Sequence, residues 1–287
     1  MTILEIRQEY HRRICGEVIR VSLDRSKGIE YPNSADSGNE SSKRIAWGLL
    51  ERLGCARNYE KISGQTAGGR FENITKDFLE KAFELLQHLR PGRWNYSTTQ
   101  TAISGFDQYE HLAYLEDAVK RDKTLSSILG GDYIIKPDII ISRTPVTDEE
   151  VNRAGEIIGS EVVAGLTPLR EINQRQTHPI LHASISCKWT IRSDRSQNTR
   201  TEALNLIRNR KGKLPHIVAV IAEPLPTRIA SLALGTGDLD CVYHFALTEL
   251  REVLEEIENQ DQLDMLTMLI DGRRLRDISD LPFDLAT

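Results

Sequence analysis

Hydrophobic positions recur along the chain at two spacings, and each spacing predicts a different element. In residues 181–191 apolar and polar side chains alternate without a break, which is typical of a β-strand with one apolar and one polar face. Residues 132–143 and the stretch from His216 are short and rich in β-branched side chains. Both are therefore predicted to be buried strands.

Three other segments have apolar side chains at intervals of three and four, the spacing of an amphipathic helix. The predicted helices cover residues 71–89, residues around 203–207 as far as Gly212, and residues 242–257. The sequence GQTAGG before the first of them is predicted to be a glycine-containing turn. No composition break divides the chain. The elements therefore predict an α/β fold, a mixed central β-sheet flanked by α-helices, in a single domain over residues 1–287.

Composition narrows the class of protein. The 287 residues are 39% hydrophobic and 28% charged, which is enough for a sizeable core. No apolar run approaches the length of about 20 residues that a membrane helix needs, and we expect a soluble, cytoplasmic protein. Cys15, Cys55, Cys187 and Cys241 form no CxxC pair, so they are expected to be reduced thiols.

Charge is distributed unevenly. The net charge is −5, yet the segment from Lys188 to Lys213 contains eight basic and two acidic side chains and so carries +6. Attraction to phosphate is local, so such a segment suits an anionic partner in spite of the net charge. Its basic residues either contact phosphate or form a solvated helix face: Arg200, Arg208, Arg210, Lys211 and Lys213.

The candidate chemistry lies on the predicted strands. Lys188 and Ser186 share the polar face of the 181–191 strand, and Asp138 follows Pro137 among isoleucines. A lysine and an aspartate in such places need partners, and a structural ion pair between them is one interpretation.

Glu202 changes the balance because it lies 14 positions after Lys188, in what is predicted to be the first turn of the next helix. Asp138, Lys188 and Glu202 are expected to converge, with Ser186 beside them. Phosphodiester hydrolysis needs carboxylates that hold divalent metal and a cation near the attacking water, and oxygen ligands favour Mg²⁺.

The order and spacing of Pro137-Asp138, Ser186-Cys187-Lys188 and Glu202 resemble the variant active site of the PD-(D/E)XK restriction endonucleases that cut around CCGG. Further blocks are similar to the same family: HASISCKWTIRSDRSQN, NLIRNRKGKLPHIV, GQTAGGRFE, DYIIKPDIII, ALGTGDLDCVYHFAL and DISDLPFDLA. The resemblance extends from about residue 34 to the C-terminus, and residues 144–175 depart from it. It implies a restriction-endonuclease-like core and an Mg²⁺-dependent type II enzyme that leaves 5′-phosphate ends.

The resemblance also implies roles. Asp138 and the main-chain carbonyl of Cys187 hold the metal, and Lys188 positions or activates the nucleophilic water. Ser186 stands where other nucleases have an acid. Two glutamates, Glu202 and Glu72, act through water or outer contacts. For Glu72 a plainer interpretation is a first-turn glutamate that complements the helix dipole.

Arg192, Asp194 and Arg195 follow the catalytic strand directly. Arginine pairs with guanine O6 and N7 and aspartate accepts from cytosine N4, so this predicted loop has the groups to read adjacent C:G pairs. If the family resemblance is left aside, the alternative interpretation of these residues is an exposed turn with salt bridges.

By resemblance, Arg228 and Asp36 read the outer G:C pair and Gln65 contacts the minor groove. The predicted site is GCCGGC, cut as G/CCGGC to leave 5′ CCGG overhangs.

A palindromic site requires a two-fold symmetric reader, so at least a dimer is expected. The resemblance implies a homotetramer, a dimer of dimers, together with a DNA methyltransferase in the same restriction-modification system. Two other classes are considered. One is a PD-(D/E)XK nuclease of repair or junction resolution, and the other is a catalytically inactive sequence-specific DNA-binding protein.

Overall fold

A computed structural model describes residues 1–24, 28–99, 102–122, 124, 135–159, 163–171, 178–191, 193–235 and 237–287, with the backbone alone at 24 and 193–196. The helices are α1 (Ile3–Arg13), α2 (Glu40–Arg52), α3 (Gly64–Leu85), α4 (Leu112–Arg121), α5 (Asp148–Val151), α6 (Ser193–Asn209), α7 (Pro226–Ala233), α8 (Leu247–Glu256), α9 (Gln260–Asp271) and α10 (Leu281–Leu285). The strands are β1 (Val21–Asp24), β2 (Ile29–Pro32), β3 (Trp94–Ser97), β4 (Ile139–Arg143), β5 (Ile180–Lys188), β6 (His216–Ile221), β7 (Cys241–His244) and β8 (Leu275–Asp277).

Six strands form one sheet in the order β3-β4-β5-β6-β7-β8, and β1 and β2 form a separate antiparallel pair. β3 runs antiparallel to β4, whereas β6, β7 and β8 are parallel neighbours, so the sheet is mixed. Helices flank it. The predicted α/β fold with a mixed central sheet is confirmed.

The chain divides into two compact units. The first comprises Met1–Arg90, Ile185–Arg200 and Ile217–Thr287, and the second comprises Pro91–Ser184 and Thr201–His216. The single domain expected over residues 1–287 stays a prediction.

In the first unit, the strands β6 and β7 have almost no exposed side chain, as is usual for parallel strands covered on both faces. Helix α2 packs against α8 so closely that a methyl group on Gly48 would lie 2.5 Å from Val253 Cγ1. The guanidinium group of Arg7, in α1, forms ion pairs with Glu249 and Asp277, each with an N···O distance of 2.7 Å. These contacts fix the N-terminal helix to the parallel part of the sheet.

In the second unit, the side-chain amide of a glutamine pairs with the main chain near the start of β5. The amide of Gln108 donates to the carbonyl of Leu181 at 2.7 Å, and its oxygen accepts from the Leu181 N–H at 2.9 Å. His182 lies between the rings of Trp94 and His216. His182, on the polar face predicted for this strand, is therefore buried against aromatic rings.

Several boundaries differ from the predictions. The segment GQTAGG is the first part of α3, because Ser63 caps that helix by accepting from the Thr66 N–H at 3.0 Å. Strand β4 covers only 139–143; residues 132–134 lie outside the described residues. The predicted long helix over 242–257 was wrong at its start, since Cys241–His244 is strand β7. Helix α5 begins with a capping box formed by Thr147 and Glu150.

The expectation of four reduced thiols was also wrong. Cys15 and Cys55 form a disulfide across a sequence separation of 40, with their Cα atoms 5.0 Å apart. The fold brings the turn Ile14–Val18 beside the segment after α2, and spacing along the chain carries no signal of that approach. Cys187 and Cys241 are free and buried.

Within the described residues, no helix combines the length and the hydrophobicity needed to cross a bilayer.

Candidate functional site

The strand β5 ends with the three predicted site residues Ser186, Cys187 and Lys188. The Cys187 side chain is buried, whereas Ser186 and Lys188, on the opposite face, are half-buried. Ser186 Oγ lies 3.4 Å from the hydroxyl of Thr199, and the Lys188 carbonyl accepts from the Ala222 N–H at 3.0 Å. The backbone that carries the lysine is therefore held in the sheet.

Helix α3 carries two further candidates, Gln65 and Glu72. They are seven residues apart and so lie on the same face of the helix, about 10 Å apart along its axis. Gln65 is exposed and Glu72 is half-buried. Because the helix begins at Gly64, Glu72 is not in its first turn, and the helix-dipole interpretation is wrong.

An aromatic contact relates α3 to the end of β5. Phe71 and Trp189 meet edge to face, with their ring centroids 5.3 Å apart. Phe71 precedes Glu72 and Trp189 follows Lys188, so this ring contact joins the two chain segments that carry these candidates within the first unit. This proximity favours a shared role.

Asp138 and Glu202 belong to the second unit. Asp138 is half-buried and directly precedes β4, rather than lying inside a strand. Glu202 is half-buried in the middle of α6, so its predicted place in the first turn of the helix was wrong. The helix begins earlier than its apolar spacing indicated, at Ser193. The convergence of Asp138, Lys188 and Glu202 stays a prediction.

The early start of α6 also changes the predicted recognition loop. Asp194 and Arg195 are in the first turn of α6 rather than in a loop. Arg192 lies outside the described residues. The backbone positions of these two predicted readers therefore lie at the N-terminus of α6, which begins five residues after Lys188.

The two predicted readers of the outer base pair contact each other, although they are 192 residues apart in sequence. Arg228, in the first turn of α7, donates to Asp36 Oδ2 and forms an ion pair with it. Asp36 also accepts from the Gly38 N–H at 2.9 Å, and its own N–H donates to Ser42 Oγ at 2.9 Å. Both side chains are about one third exposed, so a ligand can reach the pair.

A buried carboxyl group lies behind this pair. Glu223 is 1% exposed, and its two oxygens accept from the N–H groups of Ile191 at 3.0 Å and Leu225 at 3.2 Å. Burial raises the pKa of Glu223 to about 7, against the lowering effects of these hydrogen bonds and of Arg228; Asp36 adds to the rise. Sequence reasoning missed this residue. The available signal was an acid at the end of an apolar strand.

The basic residues of the 188–213 segment do not share one environment. Arg200 is half-buried in the first unit, where it contacts the Leu232 carbonyl at 3.5 Å and would meet a methyl group on Gly235. In the second unit the exposed members are Arg208, Arg210, Lys211 and Lys213. The exposed four are available to an anion, and Arg200 has a packing role.

The described residues contain no group of three or more His, Cys, Asp and Glu side chains arranged for a metal ion. The predicted ligand set has a single directly bound carboxylate, Asp138, with a main-chain carbonyl at Cys187. Such a set consists of oxygen donors, which suit Mg²⁺, and it does not require a cluster of three acidic side chains.

A mixed α/β sheet in which Ser186, Cys187 and Lys188 end one strand is consistent with a restriction endonuclease. Comparison with known proteins establishes that class: the chain is a type II restriction endonuclease. It belongs to the family described as NgoMIV restriction enzyme, whose model matches residues 10–287. The Type II restriction enzyme NgoMIV of Neisseria gonorrhoeae is 47% identical over 285 residues, which is 98% of this chain and 97% of that relative.

The comparison confirms the predicted family and extends the range of residues that match it. The match begins at residue 10, not at about residue 34, and includes residues 144–175. The chain is therefore a nuclease and a DNA-binding protein of a restriction-modification system. A repair or junction-resolving nuclease and an inactive DNA-binding protein are both set aside.

Proposed function

We propose that the enzyme hydrolyses double-stranded DNA at GCCGGC, cutting as G/CCGGC in the presence of Mg²⁺ and leaving 5′ CCGG overhangs. The reaction adds water to the scissile phosphorus and breaks the bond to the 3′ oxygen, which leaves a 5′-phosphate. The observation that most supports this site is the contact between Asp36 and Arg228. These are the two residues assigned to the outer base pair.

For the chemistry, Asp138 and the carbonyl of Cys187 are the proposed ligands of Mg²⁺. These two groups would hold Mg²⁺, which would supply Lewis-acid stabilisation of the negative charge that develops on the scissile phosphate. Lys188 orients the attacking water, while Ser186, Glu202 and Glu72 support the site through hydrogen bonds. The hydrogen bond between the Lys188 carbonyl and the Ala222 N–H keeps the lysine backbone in place.

For the inner base pairs, Arg192 and Arg195 are the proposed donors to guanine, and Asp194 is the proposed acceptor from cytosine N4. An aspartate close to DNA repels phosphate unless a cytosine amine satisfies it, which disfavours wrong sites. Placement of Asp194 and Arg195 in the first turn of α6 supports this assignment, because residues at a helix start can enter a groove.

For the outer pair, Arg228 and Asp36 supply one donor and one acceptor side by side. A G:C pair presents two adjacent acceptors, guanine O6 and N7, for the guanidinium group of Arg228, and the cytosine N4 amine for Asp36. An A:T pair has the adenine N6 amine between its two acceptors, so it offers the arginine no adjacent pair of acceptors. Gln65, exposed on α3, is the proposed minor-groove contact.

The proposed partners follow from the palindrome. Two active sites related by a two-fold axis would cut the two strands, and we propose a dimer of dimers as the complete assembly. A DNA methyltransferase of the same system would protect host sites without contact with this chain. Since the substrate is DNA inside the cell, the cytoplasm is the proposed location. Sedimentation of the free protein as a monomer would contradict the assembly.

The test is digestion of an unmethylated DNA library with the purified protein, in Mg²⁺ and in EDTA, followed by sequencing of the ends. We expect ends at G/CCGGC in Mg²⁺ alone. Equal cutting at ACCGGT would contradict the outer-pair assignment. Retarded migration of a GCCGGC duplex without any cutting would contradict the assignment of Asp138 and Lys188.

A further inference from the structure

We propose that Glu223 is a positioning residue for base recognition, which holds the readers of the inner and outer base pairs in one frame. This inference rests on the proposed function for the identity of the readers. It concerns a residue that contacts no base itself and acts through the main chain of its neighbours.

The first step is the hydrogen bond to the start of the inner readers. Ile191 is the residue before Arg192, and its N–H donates to Glu223 Oε2 at 3.0 Å. The main-chain ladder between this segment and β6 includes the bond from Ala222 to the Lys188 carbonyl. Ile191 lies three residues after Lys188, and its N–H donates to the side chain of Glu223 instead of to a main-chain carbonyl. The carboxyl group therefore holds the main chain at Ile191, between the end of the catalytic strand and the inner readers.

The second step is the hydrogen bond to the start of the outer reader. Glu223 Oε1 accepts from the N–H of Leu225, which lies between Pro224 and Pro226. Proline has no N–H, so Leu225 has the only main-chain donor of the three residues. The two prolines also restrict the backbone, and Pro226 is the first residue of α7. Arg228 follows two residues later, so the carboxyl group and the prolines fix its helix.

The third step is the anchoring of Glu223 itself. Its own carbonyl faces Nε2 of the fully buried His244 at 3.2 Å, while Nδ1 of that ring accepts from the Ala246 N–H at 3.2 Å. The ring therefore donates from Nε2 to Glu223. Side chain and main chain are both held, and the carboxyl group links Ile191 to Leu225, which precede the inner readers and Arg228 in the chain.

A buried carboxyl is costly unless its hydrogen bonds repay the loss of water. An apolar residue at position 223 would avoid this cost but could not accept the two N–H groups. The presence of a glutamate there is explained if both sets of readers must be placed accurately. Because base discrimination needs correct geometry within a fraction of an ångström, loosening either bond should weaken recognition more than it weakens non-specific binding.

The test compares Glu223→Gln with wild type in duplex binding in EDTA, so that no cleavage intervenes. Gln keeps the shape but can accept only one of the two N–H groups. We expect affinity for GCCGGC to fall about tenfold or more, while affinity for a duplex without the site changes less than twofold. Glu223→Asp, which keeps the charge on a shorter side chain, should also lose discrimination and serves if the first variant fails to fold.

Asp277→Asn is the matched control. Asp277 is a buried carboxylate that accepts from Arg7 and from the Leu247 and Ser279 N–H groups, none of which belongs to a proposed reader. This variant should lower the melting temperature and leave discrimination unchanged. Glu223 variants that lose stability but keep the full affinity ratio would overturn the proposal. If wild type selects another sequence, the proposed site is wrong and the same ratio is measured on that sequence. If wild type has no preference, both proposals are wrong.

Discussion

Asp36 and Arg228 satisfy each other in the free protein, and binding of a G:C pair would replace that contact with two contacts to bases. The pair is about one third exposed, so its separation is not penalised by deep burial. Each side chain would then contact one base of the pair. A substitution of either one should therefore change the sequence preference more than the affinity for DNA of any sequence.

We predict that Asp36→Asn reduces the preference for GCCGGC over ACCGGT by about tenfold or more, corresponding to the 1–3 kcal/mol that one good base contact contributes. Asn can still accept from the Gly38 N–H, so the loop is preserved. Competitive cleavage of the two sites gives the ratio. Asp261→Asn, at the exposed first turn of α9, is the control, and a ratio equal in both variants would exclude Asp36 from base reading.

At Lys188 the prediction concerns rate rather than binding. Lys188→Met keeps the length of the side chain without its charge. It should lower single-turnover cleavage by about 10²–10⁴-fold, the usual contribution of a proton-handling side chain, with binding in EDTA unchanged. Lys120→Met removes an equally long exposed cation with no assigned role in DNA binding and should keep the rate. Cleavage by Lys188→Met at the wild-type rate would remove the lysine from the mechanism.

Glu223 also gives stability a pH dependence with a known sign. Burial raises its pKa in the folded protein to about 7 from the ordinary value of 4.5, so folding favours the protonated form. This stabilisation is complete below about pH 4.5 and is lost as pH rises through 7. The charged groups that face it, Arg228 and Asp36, act in opposite directions.

We therefore predict that the stability difference between wild type and Glu223→Gln falls by about 2–3 kcal/mol between pH 5 and pH 8. Denaturant unfolding of both proteins across this range measures it, and groups that titrate in both, such as His11, cancel in the difference. A difference independent of pH would contradict the raised pKa.

At the scale of elements, the apolar spacing predicted β5, β6 and the body of α3, because each buries a long apolar face. It failed where local chemistry sets a boundary. The cap at Ser63 starts α3 two turns early, in a glycine-rich stretch that resembles a turn. Strand β7 has four buried residues and therefore no polar face to show a period of two.

The candidate site was also predicted only in part. Family resemblance assigned roles to residues, but the contact between Asp36 and Arg228 joins positions too distant for any spacing to reveal. Glu223 left no recognisable pattern because it bonds to main-chain N–H groups, which every residue except proline possesses. Such contacts become apparent only when the chain is folded.

The close packing of α2 on α8 gives a prediction for these elements. Gly48→Ala would place a methyl group 2.5 Å from Val253 Cγ1, and we expect a loss of about 1–3 kcal/mol. Gly69→Ala, a helical glycine of α3 with open space around it, should instead be neutral or stabilising. Adding Val253→Ala to the Gly48 variant should recover part of the loss in denaturant unfolding. Strictly additive effects would mean that the two helices do not meet there.

For the whole molecule, the net charge of −5 means that DNA is attracted only where positive charge is concentrated. The exposed cations at the end of α6 and just after it are Arg208, Arg210, Lys211 and Lys213. If they contact phosphates, each releases about one counterion on binding. These contacts carry no sequence information, in contrast to those of Asp36.

Lys211→Ala should therefore weaken binding to GCCGGC and to unrelated duplexes by the same factor, and reduce the slope of log K against log salt concentration by about one. Filter binding at several salt concentrations measures both. Lys120→Ala, on the exposed face of α4 beside Asp117, is the control and should leave the slope unchanged. An unchanged slope for Lys211→Ala would indicate a solvated helix end, and the attraction of this acidic protein to DNA would then have to come from the residues that read bases.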